Sequence, residues 1–303
     1  VVVTLKYVDS APVLTGLKSD SERCAGALRT YACEALMQDN KALQAGNSHN
    51  LGQNFAKAFD VTFQTAGGGI DHVWSTSWGV STRLIGGLIM THGDDRGLIC
   101  PPLLAQYQVV IVPIYKSDAE RASVLGSAER LREALRAAGI RTHIDGREGI
   151  KPGAKYYEWE ARGVPFRLEI GPRDVAAGHA MMARRTGGAK EAVPFEGAPT
   201  RLLDEARLMQ KALFEGARAR REANSIRGAT KAQLLEQMSG EGGGGFVYAG
   251  WCGGAECEAA IKAETKATIR VLPDPEFRSA EAPATCIWCG AAAATEAVWA
   301  KAY

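Results

Sequence analysis

Four cysteines near the end of the chain carry the most specific chemistry that spacing alone can indicate. Cys252 and Cys257 are separated by four residues, Cys286 and Cys289 by two, and glycines border both pairs. Two such knuckles can converge four thiolates on a tetrahedral Zn²⁺, whose filled d shell imposes no other geometry and whose charge keeps the sulfurs deprotonated. Four sulfurs leave no open coordination position, so an ion held there is structural. Ordinary thiols and an iron–sulfur cluster are the alternatives, the latter more often using other spacings. Cys24, Cys33 and Cys100 are scattered, and an odd total of 7 favours thiols and metal in a reducing compartment over a disulfide framework.

A second group surrounds Arg83. In "SWGVSTRLIGGLIMTHGDDRG", residues 77–97, this arginine stands just ahead of an apolar, glycine-bearing run that reads as the start of a helix. By itself such a residue pairs with a nearby carboxylate. The run then breaks into "HGDDRG", where Asp94 and Asp95 read as a hydrogen-bonded turn supporting the helix rather than as a metal site.

The elements that must position these groups are clearest between 106 and 195. "YQVVIVPIY" (107–115) is a β-branched run suited to a strand buried on both faces. The following segment, 117–139, places Val124, Ala128, Leu131, Leu135 and Ala138 at helical spacing, with Ser117 and Glu120 as a capping box and Gly139 as a stop. A strand at 140–145, a helix at 154–163 and a strand at 165–171 complete a βαβαβ pattern, which predicts a largely parallel sheet covered by helices. Beyond 200 the texture becomes a long helix, a glycine run at 242–245 and the cysteine pairs. In the first hundred residues, "FAKAFDVTFQT" and "IDHVWSTSWG" predict antiparallel strands.

The totals set the outer bounds. A chain of 303 residues has room for two or three domains, and 46% hydrophobic with 23% charged residues is the balance of a folded chain. A net charge of +2 is too near zero to argue for polyanion binding except through local patches. No run approaches the roughly 20 apolar residues of a membrane span, and neither signal peptide nor anchor is expected. The first residue is not methionine and the chain opens inside an apolar segment, so sequence is expected upstream.

Three stretches together resemble a known family: "KALQAGNSHNLGQNFAKAFDVTFQ" (41–64), "TSWGVSTRLIGGLIMTHGDDRGLICPP" (76–102), and "QVVIVPIY" (108–115) with "KYYEWEARGVPFRLEIGPRD" (155–174). They are similar to the prolyl-tRNA synthetases of the archaeal and eukaryotic type, which end in a zinc-binding domain. The cysteine quartet and the final "KAY" fit the same type. The resemblance implies α/β and α+β architecture in three parts. These are part of an antiparallel class II catalytic sheet (1–105), an anticodon-binding domain with a mostly parallel sheet (106–199), and a small α+β zinc-binding domain (200–303). It implies activation of proline by ATP with Mg²⁺, transfer to tRNA-Pro, structural Zn²⁺, and a cytoplasmic or organellar homodimer without a membrane role.

The resemblance makes Arg83 the arginine of the third class II motif, at the start of a helix and against the ATP phosphates. That is physically reasonable, because a helix N-terminus attracts anions and a guanidinium adds a fork of donors. Gly86 and Gly87 then let the helix pack closely. Gln44 and Asn47 resemble nucleotide-contacting residues; Cys24, His49 and Ser81 resemble residues lining the proline pocket. Two positions depart from the pattern: Cys24 stands where the family usually has phenylalanine, and Asn47 replaces threonine. The first two class II motifs are absent from these residues, so half an active site is expected. A truncated, non-catalytic relative that binds RNA or serves as an assembly scaffold is the rival expectation.

In the region 106–199 the resemblance implies Tyr156 as a stacking platform, with Glu160, Arg167 and Lys190 hydrogen-bonding the two guanines of the proline anticodon. A carboxylate for N1 and N2 donors and cations for O6 and N7 is the chemistry guanine requires. The arginines at 184–185 and 218–221 are candidates for phosphate contacts or are a solvated face. The carboxylate of Tyr303 is expected to return toward the catalytic site.

Overall fold

A computed structural model describes residues 4–240, 242–281 and 283–303. The chain divides into two units. Of the described residues, one unit contains 4–6, Ala11–Thr91 and Ala217–Tyr303; the other contains Tyr7–Ser10 and His92–Gly216.

In the first unit β1 (Val13–Leu17), β2 (Arg29–Leu36) and β3 (Ala42–Gly52) pair antiparallel in succession. They are followed by α1 (Asn54–Ala58), the hairpin strands β4 (Thr62–Gln64) and β5 (Ile70–His72), β6 (Ser75–Gly79), and α2 (Arg83–His92). The expected strand at "FAKAFDVTFQT" therefore begins as a helix and becomes a strand only at Thr62–Gln64. Phe59 N–H closes onto the carbonyl of Phe55, and Ala56 is the residue turned inward.

The second unit carries β7 (Val109–Pro113), α3 (Asp118–Ala137), β8 (Thr142–Ile144), α4 (Pro152–Ala161), β9 (Phe166–Ile170), α5 (Pro172–Ala177), β10 (His179–Arg184), β11 (Glu191–Pro194) and the start of α6 (Ala198–Ala223). Every residue of β7 is buried, as its unbroken apolar run requires. The sheet order is β11-β10-β9-β7-β8: β7, β8 and β9 are parallel, while β10 and β11 add an antiparallel edge. Ser117 accepts from the Glu120 amide at the head of α3, and Val124, Ala128, Leu131 and Leu135 pack into the core beside Ile111, Phe166 and Leu168.

The chain then returns to the first unit with β12 (Ser225–Arg227), α7 (Lys231–Gln237), β13 (Phe246–Trp251), α8 (Ala255–Thr265), β14 (Thr268–Pro273) and β15 (Thr295–Ala300). These strands do not form a sheet of their own. The order β12-β13-β15-β14-β1-β2-β3-β6 is one eight-stranded sheet, continuous through the β1–β14 pair. Gly16 makes that junction possible, since a Cβ there would lie 2.1 Å from the Leu272 carbonyl oxygen. Leu14, Ala32, Leu36 and Ala42 from the early strands share one core with Phe246, Tyr248, Val271 and Val298 from the late ones. A buried ionic cluster crosses the same junction: Glu34, fully inaccessible, receives Lys18 Nζ at 2.9 Å and the Arg270 guanidinium at 3.0 Å. Burying three charges is tolerable only because each one is directly paired.

Candidate functional site

The β2–β3 register decides which residues of "QAGNSH" can act together. Thr30 pairs with His49, Ala32 with Asn47 and Glu34 with Gln44, while a bulge at Cys33/Glu34 leaves Ala45 outside the ladder. In an unbulged strand Gln44 would face away from Asn47 and His49; the extra residue brings all three onto one face. On the far side of β3, Ser77 of β6 pairs with His49, and Gly79 with Asn47. The result is a polar face running across β2, β3 and β6.

Thr30 links two candidates on this face. Its buried hydroxyl lies 2.9 Å from His49 Nδ1 and accepts from the Cys24 amide at 3.2 Å. Cys24 itself is exposed, in a loop whose Gly26 carbonyl accepts from Asn54 at 2.8 Å.

Helix α2 lies behind the opposite face, where Leu84 and Met90 pack with Leu43 and Ala45. A Cβ on Gly87 would come within 2.8 Å of Leu43 Cδ2, so the expected close packing occurs at Gly87. Gly86 has no comparable neighbour: the nearest atom to a Cβ there is 3.9 Å away. Arg83 is the first residue of α2 and is exposed; its amide donates to Ser81 Oγ at 3.3 Å. Among the described residues no carboxylate pairs with the Arg83 guanidinium. At the other end of α2, Arg220 donates to the Thr91 carbonyl at 2.9 Å, a helix-capping contact rather than a solvated charge.

The second unit gathers another polar group. Helix α4 turns Lys155 and Trp159 inward, while Tyr156 and Glu160, one residue on in each case, lie on a neighbouring face. The inward pair is fastened to Asp145, which receives Trp159 Nε1 at 2.8 Å and Arg147 Nη2 at 2.7 Å; its carbonyl receives Lys155 Nζ at 2.9 Å. Burial would raise the Asp145 carboxyl, but the Arg147 and Trp159 donors outweigh it and hold it well below the usual carboxylate range. Glu160, Arg167 and Lys190 line one pocket of about 250 Å³ together with Arg96, Arg184 and Arg185. The Arg167 guanidinium lies 4.1 Å and Lys190 Nζ 5.2 Å from the Tyr156 ring centre. Burial, and then the neighbouring Glu169, push the Tyr156 hydroxyl above its ordinary range.

Each charged residue of this pocket has a counter-charge. Glu169 holds Arg167 at 3.0 Å and Lys190 at 2.7 Å, and Glu160 receives Arg96 at 2.6 Å. Arg184 is bound to Glu191 and Glu205, and Arg185 is buried against Asp94. Neither Arg184 nor Arg185 is therefore a free phosphate contact. The "HGDDRG" turn is hydrogen-bonded, Asp94 and Gly97 exchanging both amide bonds at 3.0 Å, with the Asp94 carboxylate directed at Arg185.

The four cysteine sulfurs converge. Cys252 Sγ lies 3.7 Å from Cys257 and 3.9 Å from Cys289, and all four sulfurs fall within 4.8 Å of one another. A tetrahedron with Zn–S bonds of about 2.3 Å has edges of about 3.8 Å, so the set fits zinc. Burial raises the Cys286 thiol, but amide groups of Cys289, Trp288 and Cys252 outweigh it and bring it to about 6. Those amides favour the thiolate that a metal requires.

The C-terminal tail is tied down rather than frayed. Ala302 bridges Ala42 in parallel, Ala42 N–H donates to the Lys301 carbonyl at 2.8 Å, and the Tyr303 hydroxyl donates to Asp39 at 2.6 Å. The tail thus runs along β3, two residues from Gln44.

Sequence reasoning missed Thr30, Arg96, Asp145 and Glu169. Only a register or a three-dimensional neighbour makes these residues relevant, although Arg96 and Glu169 lie within stretches already singled out in the sequence.

Comparison with known proteins extends this picture. The family model for an anticodon binding domain matches residues 108–205, and the model for the C-terminal region of prolyl-tRNA synthetase matches 237–303. The chain is 50% identical to a proline–tRNA ligase of Chlorobium luteolum, 45% to one of Roseiflexus castenholzii and 46% to one of Chloroflexus aurantiacus. These alignments cover 96%, 96% and 97% of the chain and, in each case, 60% of the relative. The chain therefore spans about 60% of the length of the curated relatives it matches.

Proposed function

We propose, from the premise that this chain belongs to the prolyl-tRNA synthetase family, that it serves ATP-dependent activation of proline to prolyl-adenylate and transfer of the prolyl group to tRNA-Pro. The observation that carries this is the guanidinium of Arg83. It stands at a helix start with no acid to neutralise it among the described residues, where the chemistry calls for a cation against phosphate. Forming an adenylate demands stabilisation of charge on the α-phosphate and the departing pyrophosphate rather than a covalent nucleophile. Arg83 supplies that charge, and Gln44 and Asn47 hold the nucleotide, which brings Mg²⁺ with it. Cys24, His49 and Ser81 line the proline pocket, with Thr30 fixing the His49 ring through Nδ1. In this assignment residues 1–105 belong to a class II catalytic domain.

Residues 106–199 select the tRNA, with Tyr156 stacking a base and Glu160, Arg167 and Lys190 reading guanine edges. Residues 200–303 brace the tail, whose Tyr303 carboxylate returns toward the nucleotide side of β3. Cys252, Cys257, Cys286 and Cys289 hold Zn²⁺ as a structural ion. The working protein in this proposal is a cytoplasmic homodimer; among the described residues no helix is long and apolar enough to cross a membrane.

The test is proline-dependent exchange of pyrophosphate into ATP by the protein as naturally produced. Exchange that requires proline supports the assignment, whereas binding of tRNA-Pro without exchange replaces it with an RNA-binding scaffold.

A further inference from the structure

We propose that Arg96, in the turn after α2, is a positioning residue for base recognition: it fixes one oxygen of the Glu160 carboxylate and leaves the other to accept from a guanine edge. This rests on reading the pocket around Glu160, Arg167 and Lys190 as a guanine site.

Arg96 Nη1 donates to Glu160 Oε1 at 2.6 Å. The arginine is itself oriented, since its amide donates to Asp94 Oδ1 at 2.9 Å and its Nη2 lies 3.4 Å from Asp94 Oδ2 and 3.5 Å from the Arg185 carbonyl. Asp94 is in turn clamped by Arg185, whose side chain is 1% exposed and which reaches both carboxylate oxygens at 2.5 and 3.0 Å. The same buried guanidinium donates through Nε to the main-chain carbonyl of Glu160 at 2.9 Å. The Glu160 carboxylate is thereby tied to the turn directly, and its carbonyl indirectly through Arg185. The main chain of that turn is joined to the end of α4 by Leu98 N–H to Ala161 at 3.0 Å and Cys100 N–H to Gly163 at 3.2 Å.

Two physical arguments favour positioning over a direct phosphate contact. A carboxylate 2.6 Å away cancels most of the field that Arg96 would offer a phosphate. The pocket also contains Arg167, Arg184 and Lys190. Without Arg96, a flexible glutamate among these cations would rotate toward one of them and lose its aim at the base. Among the described residues no partner holds the second oxygen of Glu160, and Oε1 keeps a lone pair beside its bond to Arg96; such a carboxylate suits the N1 and N2 donors of guanine, of which inosine lacks N2 and adenine both.

The experiment measures binding of the 303-residue chain to RNA hairpins whose loop carries UGG, and to hairpins with either guanine replaced by inosine or adenine, at two salt concentrations. Arg96→Gln is expected to lose about tenfold or more of the guanine preference. Arg96→Lys should recover part of it, with the salt dependence and unfolding midpoint of both variants unchanged. Uniform weakening toward all hairpins with a shallower salt slope makes Arg96 a phosphate contact and overturns the proposal, as does undiminished preference. Glu160→Gln separates the two levels. If it leaves the guanine preference intact, the guanine reading of the pocket fails; if it abolishes the preference while Arg96→Gln does not, only the role of Arg96 fails.

Discussion

In the anticodon-binding unit every charged residue proposed to read bases already has a protein counter-charge: Glu160 holds Arg96, and Glu169 holds Arg167 and Lys190. At the head of α2, Arg83 has none among the described residues. A paired reader is pre-aimed, and it exchanges or shares a hydrogen bond when a neutral base edge arrives, so it gains selectivity more than affinity. An unpaired guanidinium pays nothing to release a partner and gains the full attraction of an arriving phosphate, which suits charge stabilisation. In the proposed assignment the two surfaces divide their electrostatic tasks by whether the protein has already neutralised the charge.

The largest effect is expected at Arg83. Arg83→Ala should lower proline-dependent pyrophosphate exchange at least a hundredfold, the scale of removing one oriented donor from a developing anion, while RNA hairpin affinity stays within about twofold. Equal loss of both would remove the distinction between the surfaces. A stability test of similar size uses the paired cluster of the first unit. Glu34→Ala leaves Lys18 and Arg270 buried without their anion and should cost about 3–5 kcal/mol in urea unfolding; a loss below about 1 kcal/mol would show that water or relaxation replaces the carboxylate.

Glu160→Gln keeps the shape but removes the charge. Discrimination between guanine and adenine in the loop should fall by about 1–3 kcal/mol, with exchange unaffected. The smallest effect concerns acid. Hydrogen bonds from Arg185, outweighing burial, hold the Asp94 carboxyl well below the usual range. Its folded pKa lies under its unfolded value of about 4, so its stabilisation is present above that pH and fades as pH falls further. Asp94→Asn should flatten the decline in stability between pH 5 and about 3, as read by denaturant midpoints, and an unchanged slope would assign the acid sensitivity elsewhere.

The sequence was most legible where one period decides the structure. The apolar run of β7, the Ser117 cap and the 124–128–131–135 stripe each specify an element without outside help. The cysteine spacings likewise led to four sulfurs that do converge. What escaped depends on partners distant in the chain. Gln44 reaches the face of Asn47 and His49 only through a bulge against Glu34, and the late strands join the early sheet only because Gly16 admits the Leu272 carbonyl. Arg184 and Arg185 look like a basic patch in one dimension, yet their acids come from 94, 191 and 205. The helix at 54–58 was obscured because aromatic residues suit strands equally well.

The most direct test of the central claim is the structure of the naturally produced protein with a non-hydrolysable ATP or prolyl-adenylate analogue. An Arg83 guanidinium nitrogen is expected within about 3 Å of a phosphate oxygen, with Gln44 and Asn47 beside the same nucleotide. A side chain extended into solvent, or bound to an acidic residue away from the nucleotide, would contradict it.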